Sequence, residues 1–196
     1  FTDLFNEGLE RLKNQITVSK KPFVIALGGP ARSVKSTAAA GLARAFRQKG
    51  YTVELVHLDD WLLPAEQRKQ SEMGLWRAYP QAVLNEALHD LLVEGKTITA
   101  PGYSVRPDWP ARETRYASAE VVLVEGVMAL GLETVRQAAH WTVGVTAPES
   151  TRKLRYERYQ NWRGLPADEA EWARREQHEV SAVEKDLIFV QTLVSL

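Results

Sequence analysis

Apolar and polar positions alternate along this chain in two rhythms, and the switches between them mark out strands and helices in turn. Residues 3–17 carry Leu4, Phe5, Leu9, Leu12 and Ile16 at helical spacing, which predicts an amphipathic leading helix. The run Pro22-Phe-Val-Ile-Ala-Leu predicts a buried strand over 22–28, and Ala-rich residues 35–49 predict a helix ended by Gly50. Tyr51 to Leu58 reads as a second strand that stops at Asp59-Asp60. Over 81–94, Leu84, Ala87, Leu88, Leu91 and Leu92 share one helical face, and Gly95 closes it. A proline-rich stretch from Ala100 to Ala111 predicts a loop long enough to carry function. Val121 to Val124 and Trp141 to Val145 are continuous apolar runs of the kind a parallel strand buried on both faces shows.

Strands alternating with helices predict an α/β fold: a parallel sheet of the P-loop NTPase type, flanked by helices on both faces and joined by right-handed crossovers. In such sheets ligands sit beyond the carboxyl ends of the strands. Three polar elements fall there: the loop after the first strand, Asp59-Asp60 after the second, and Glu125-Gly126 after the strand ending at Val124.

The first of these loops carries the clearest chemistry. Residues 29–37 read Gly-Pro-Ala-Arg-Ser-Val-Lys-Ser-Thr between a predicted strand and a predicted helix, which is the context of a phosphate-binding loop. Backbone N–H groups of Gly29, Ala31, Arg32, Ser33 and Val34 would surround a polyphosphate, with Lys35 reaching its β- and γ-phosphates. The Ser36 hydroxyl would complete a Mg²⁺ shell, and Thr37 would bond a phosphate nearer the base. Val34 stands where the pattern G-x-x-x-x-G-K-[ST] has its second glycine. A β-branched side chain there would crowd the phosphate or disfavour the loop's backbone geometry. The alternative is an ordinary strand, turn and helix with a chance Lys-Ser-Thr.

Composition narrows the setting. The 196 residues suit one domain over 1–196, and 44% apolar residues with zero formal net charge argue against disorder or a nucleic-acid footprint. No cysteine occurs, so neither a disulfide framework nor a thiolate metal site is available, which fits a reducing cytoplasm. No apolar run approaches the roughly 20 residues that cross a bilayer, so no membrane partner is expected.

The loop, then His57-Leu-Asp-Asp-Trp, Pro101-Gly-Tyr, Glu113-Thr and Val122-Leu-Val-Glu-Gly-Val-Met-Ala-Leu together resemble the uridine kinase, phosphoribulokinase and pantothenate kinase superfamily, in order and spacing over about residues 22–165. The resemblance implies an enzyme that moves the γ-phosphoryl group of ATP to a hydroxyl of a small molecule with Mg²⁺. It implies that Asp59 faces the acceptor hydroxyl, that Glu125 holds Mg²⁺ through water or orients the loop, and that Tyr103 lines the acceptor site. Asp59 also suits a helix cap or strand-end turn, and Tyr103 equally suits packing.

Thr151 to Gly164 resembles that superfamily's lid, with Arg155, Arg158 and Arg163 at the spacing R-x-x-R-x-x-x-x-R-G, inside a lid over about 151–180. Guanidinium groups suit phosphate because they stay charged and offer paired donors. In this reading Arg155 binds nucleotide, while Arg158 and Arg163 join Lys35 and Asp59 in transfer. With so little apolar stripe over 152–179, the segment suits a mobile lid or a solvated face.

The acceptor is less defined. Uridine kinases carry P-x-Y-D and a histidine five residues after the tyrosine, where this chain has Ser104 and Asp108. Trp61, Trp76 and Trp109 are candidates to stack on a flat ring, and Arg77, Arg106 and Arg112 to recognise an anionic acceptor. Asp59-Asp60-Trp61 and Pro64 are similar to a segment of nicotinamide riboside kinase and of glycerate kinases, so nucleoside-like and sugar-like acceptors both stay open. A catalytically impaired regulatory protein of the same fold is the alternative function, because of Val34.

Overall fold

The computed structural model describes residues 2–16, 22–64, 67–68, 78–104 and 110–195. Helix α1 (Thr2–Ile16) precedes β1 (Phe23–Gly28), α2 (Lys35–Gln48) and β2 (Val53–His57), and a 3₁₀ turn (Leu58–Trp61) leaves the end of β2. Then come α3 (Gln81–Leu92), β3 (Ile98–Ala100), β4 (Thr114–Tyr116), β5 (Val121–Glu125), α4 (Glu133–Ala138) and β6 (Trp141–Thr146). The chain continues through α5 (Glu149–Trp162), α6 (Glu169–Arg175), a π turn (Glu176–Val180) and α7 (Ser181–Asp186) to β7 (Thr192–Ser195). No helix among the described residues is long and apolar enough to cross a membrane.

Five strands form one parallel sheet in the order β2-β5-β1-β6-β7, and β3 pairs with β4 in a separate antiparallel pair. Strand period two divides the apolar runs between two cores. From β1 and β5, Val24, Ala26, Val122 and Val124 enter the core beneath α3. Phe23, Ile25, Leu27, Val121 and Leu123 enter the core beneath α1 and α2, where Leu12, Leu42 and Phe46 are also buried. Because β1 and β5 are covered on both sides, their sequences are apolar throughout rather than alternating.

Parallel register fixes what stands at the carboxyl edge. Leu27 of β1, Glu125 of β5 and His57 of β2 lie in one row, and Gly28 pairs with Gly144 of β6. The β1–α2 loop, the 3₁₀ turn and the residues after β5 therefore leave the sheet side by side.

Trp61, expected beside an acceptor, lies in the core instead. It is 1% exposed, and its ring stacks on Tyr116 of β4 with centroids 5.7 Å apart. A large aromatic flanked by Leu58 and Leu62 gains more by filling the core than by lining a wet cleft. Trp61→Ala is accordingly expected to destabilise the protein by about 3–5 kcal/mol, read as a drop in the urea midpoint at unchanged slope.

Candidate functional site

The turn out of β1 begins with Gly29, whose φ of 149° lies where side chains are rarely tolerated, and a Cβ there would sit 2.0 Å from the Val145 carbonyl oxygen. Two further residues of the loop hold left-handed backbone, Arg32 and Val34, each at φ 65°. The expectation that Val34 conflicts with the loop is met in the backbone itself: a β-branched side chain is held in αL, with ψ 27°, immediately before α2. Such a conformation costs of order 1–3 kcal/mol.

Within the loop, Lys35 is 7% exposed and donates its Nζ to the Pro30 carbonyl at 2.9 Å. Burial lowers its pKa, and the carboxylates of Glu125 and Asp59 oppose that shift. Ser33 is buried with its Oγ lacking a partner, while Ser36 and Thr37 are exposed.

Glu125 connects the strand ends. Its Oε1 accepts from Ser36 Oγ at 2.9 Å and from His57 Nδ1 at 2.6 Å, a consequence of the shared register row. Burial alone would push the Glu125 carboxyl up, but the His57 hydrogen bond and the charges of Lys35 and His57 outweigh it and hold it below the usual glutamate value. The same hydrogen bond raises His57 against the effect of burial. Ser36 and Glu125 form an oxygen pair that could hold Mg²⁺, which needs few protein ligands and keeps its waters. No cluster of three or more His, Asp or Glu that could hold a metal occurs among the described residues.

Asp59 is exposed by surface area yet closely surrounded by protein. The surrounding protein and the like charge of Glu125 raise its carboxyl, while Lys35 and a hydrogen bond from the Tyr79 hydroxyl at 3.3 Å oppose this. Its neighbour has a different task. Asp60 accepts the hydroxyl of Tyr116, which in turn accepts the backbone N–H of His57 at 3.2 Å, so Asp60 ties the 3₁₀ turn to β4.

On the expected acceptor side, Tyr103 is half-buried, its hydroxyl accepting from Arg68 at 3.1 Å. Gly102, at φ 79°, brings that segment so close to Arg112 that a Cβ would lie 1.8 Å from the Arg112 carbonyl oxygen. Arg112 is exposed. Trp76, Arg77, Arg106, Asp108 and Trp109 lie outside the described residues.

The arginines of α5 divide. Arg155 donates to the Arg32 carbonyl at 3.1 Å and so joins helix to loop; Arg163 bonds Gln160 at 3.1 Å; Arg158 is exposed. The segment expected to be a mobile lid or a solvated face has a buried side made of Arg152, Tyr156 and Gln160, four residues apart. Arg152 forms twin 2.6 Å bonds to Glu176 in the π turn, and Tyr156 packs on Trp172 of α6.

Four contributors to this site had no assigned role in the sequence reading: His57, Tyr79, Arg175 and Glu179. His57 had a readable signal, since the last residue of a parallel strand stands beside its counterpart on the neighbour. Tyr79 depends on where the chain returns after an irregular stretch. Glu179 and Arg175 depend on the π turn, whose charges are felt at Lys35 and Arg32.

No protein-family model matches the sequence, and no curated protein matches it in sequence. Solved structures do match. A candidate fructose transport system kinase from Silicibacter sp. TM1040 superposes with TM-score 0.73 at 19% identity, covering 98% of this chain and 97% of that one. D-Glycerate 3-kinase from Cryptococcus neoformans gives 0.70 at 14%, covering 95% and 89%. A possible uridine kinase from Bacillus stearothermophilus gives 0.64 at 18%, covering 95% and 98%. The chain shares the α/β fold of these three structures.

The left-handed valine yields a prediction. Val34→Gly removes strain of order 1–3 kcal/mol and adds roughly 0.5–1 kcal/mol of unfolded-state entropy. Urea denaturation is expected to show a net gain of about 1 kcal/mol; a loss of stability would mean that valine packing outweighs the backbone cost.

Proposed function

We propose that this chain is a kinase that transfers the γ-phosphoryl group of ATP to a hydroxyl of a small nucleoside-like or sugar-like molecule. The observation that carries the reading is the joining of the loop to the carboxyl edge of the sheet: Ser36, next to the buried Lys35, bonds the Glu125 carboxylate at 2.9 Å. The three structures named above are kinases by description, and their acceptors set the class of molecule to try first.

In this reading the loop amides and Lys35 hold the triphosphate, with Ser36 and Glu125 holding Mg²⁺. The metal would supply charge neutralisation on the phosphates. Asp59 orients the acceptor hydroxyl and takes its proton as the new O–P bond forms and the bond to the ADP oxygen breaks. A carboxyl raised by its surroundings is better matched to that proton than an ordinary aspartate. Arg155 would bind the nucleotide, and Arg163 and Arg158 would balance charge as it shifts to the leaving group. The second reading, a regulatory protein that binds nucleotide without turnover, draws support from the left-handed Val34.

Two measurements test the proposal. Magnesium ATP is expected to raise the melting temperature of the wild type and to leave Lys35→Ala unmoved. ADP release against a panel of nucleosides, vitamins, sugars and sugar acids is expected to identify an acceptor, and Asp59→Asn to bind ATP as before while turnover falls about 10²–10⁴-fold. Binding with no ADP release across the panel would favour the regulatory reading, and equal loss of binding and turnover in Asp59→Asn would remove its role as base.

A further inference from the structure

The parallel sheet has two edges, and the chain treats them differently. On β2 the Leu55 N–H is taken up by the Glu54 carboxylate at 3.2 Å and the His57 N–H by the Tyr116 hydroxyl at 3.2 Å. Glu54 also accepts the Ala117 N–H at 2.9 Å, so a charged side chain and the end of β4 together close that edge. β7 forms the opposite edge. Its sequence, Thr-Leu-Val-Ser, holds none of the lysine, proline or acidic residues that keep edge strands from pairing.

Exposed apolar side chains collect at the same edge. Ile188 and Leu193 are the two most exposed large hydrophobic residues among those described, at 78% and 63%, and Phe189 is 47% exposed. Ile188 and Phe189 belong to a 3₁₀ turn (Leu187–Phe189) that leads into β7. Gly144 of β6 brings turn and strand together: a Cβ there would lie 2.9 Å from the side chains of both Leu187 and Leu193 and 3.1 Å from that of Val190. Scattered apolar residues on a surface need no explanation, but a contiguous group beside an open strand edge marks an interaction surface.

Charge indicates the occupant. A two-fold axis sets a patch against its own image, so any charge within it would meet its like. From Leu187 to Ser195 no side chain is ionisable. At the rim, Arg136 lies over the Phe189 ring at 4.7 Å and acts on Asp186, so the border carries both signs. The dyad also runs the two β7 strands in opposite directions, which suits an antiparallel ladder. Three side chains and a four-residue strand fall short of the about 800 Å² per partner of a standard interface, so the association is weak.

We propose that β7 and the Leu187–Phe189 turn form the interface of a weak two-fold dimer of this chain. The β7 strands of two copies pair antiparallel and continue the sheet, while Ile188, Phe189 and Leu193 of each copy cover those of the other. Nothing in this depends on the kinase reading.

Sedimentation velocity on the full chain from about 1 to 100 µM is expected to show a monomer–dimer equilibrium within that range. Ile188→Lys and Leu193→Lys set like charges against each other across the axis and are each expected to raise the dissociation constant about tenfold or more. Both positions are exposed, so both variants are expected to melt as wild type does at the dilute end. Val83→Lys, at a residue 57% exposed on α3, is the control and is expected to associate like wild type. Hydrogen exchange reads the strand pairing itself: peptides over 192–195 are expected to exchange faster in the dilute sample, and those over 53–57 alike in both.

A wild type that stays monomeric to about 100 µM would assign the patch to a different partner and overturn the dimer. A dimer that neither lysine variant weakens would have its interface elsewhere and overturn it equally. A dimer weakened by both, whose β7 amides exchange alike at the two concentrations, would overturn the continued sheet.

Discussion

The loop between β1 and α2 closes only because Gly29 carries no side chain where the Val145 carbonyl passes, and because Arg32 and Val34 accept left-handed backbone behind it. A strand running straight into a helix would bury its amides in the helix ladder. This turn instead folds back on itself, with the Ser33 N–H and the Lys35 ammonium both bonded to the Pro30 carbonyl. Left-handed conformations at two non-glycine residues are unfavourable in isolation and persist only where the surroundings over-determine them. Here the surroundings are β6 on one side and α5 on the other.

The electrostatics of the cleft follow from sheet register as much as from composition. A parallel row places His57 and Glu125 side by side, and their contact keeps Glu125 ionised despite its burial. That charge opposes the loss of charge on Lys35, whose Nζ donates to the neutral carbonyl of Pro30. The same charge has the opposite effect on Asp59, raising its carboxyl. One buried glutamate thus favours the lysine as an ammonium and makes the aspartate a better proton acceptor.

Much of this was legible in the chain. Apolar runs marked β1, β5 and β6, because strands covered on both faces have nothing polar to hide; alternation marked β2, and the polar residues that follow these strands marked the carboxyl edge. The strands at β3, β4 and β7 span three or four residues each, too few for a period to emerge. Trp61 went to the core because Tyr116, its stacking partner, arrives 55 positions later on β4, and no local pattern announces such a contact. The buried side of α5 escaped notice for a chemical reason: Arg152, Tyr156 and Gln160 recur at helical spacing, but their polar tips conceal how much hydrocarbon they bury.

That concealed stripe changes how α5 relates to the loop. The twin 2.6 Å bonds from Arg152 to Glu176, made by a side chain almost fully buried, fasten α5 to the π turn. An ion pair in that setting is costly to break from one side, since the survivor remains a buried charge. A π turn widens the helix by one residue and turns the side chains beyond it, and Glu179, three positions past Glu176, is close enough for its charge to reach Lys35 and Asp59. This anchor ties the π turn to α5, which reaches the loop through Arg155. The charge that Glu179 brings to Lys35 therefore depends on the Arg152–Glu176 pair as well as on the loop.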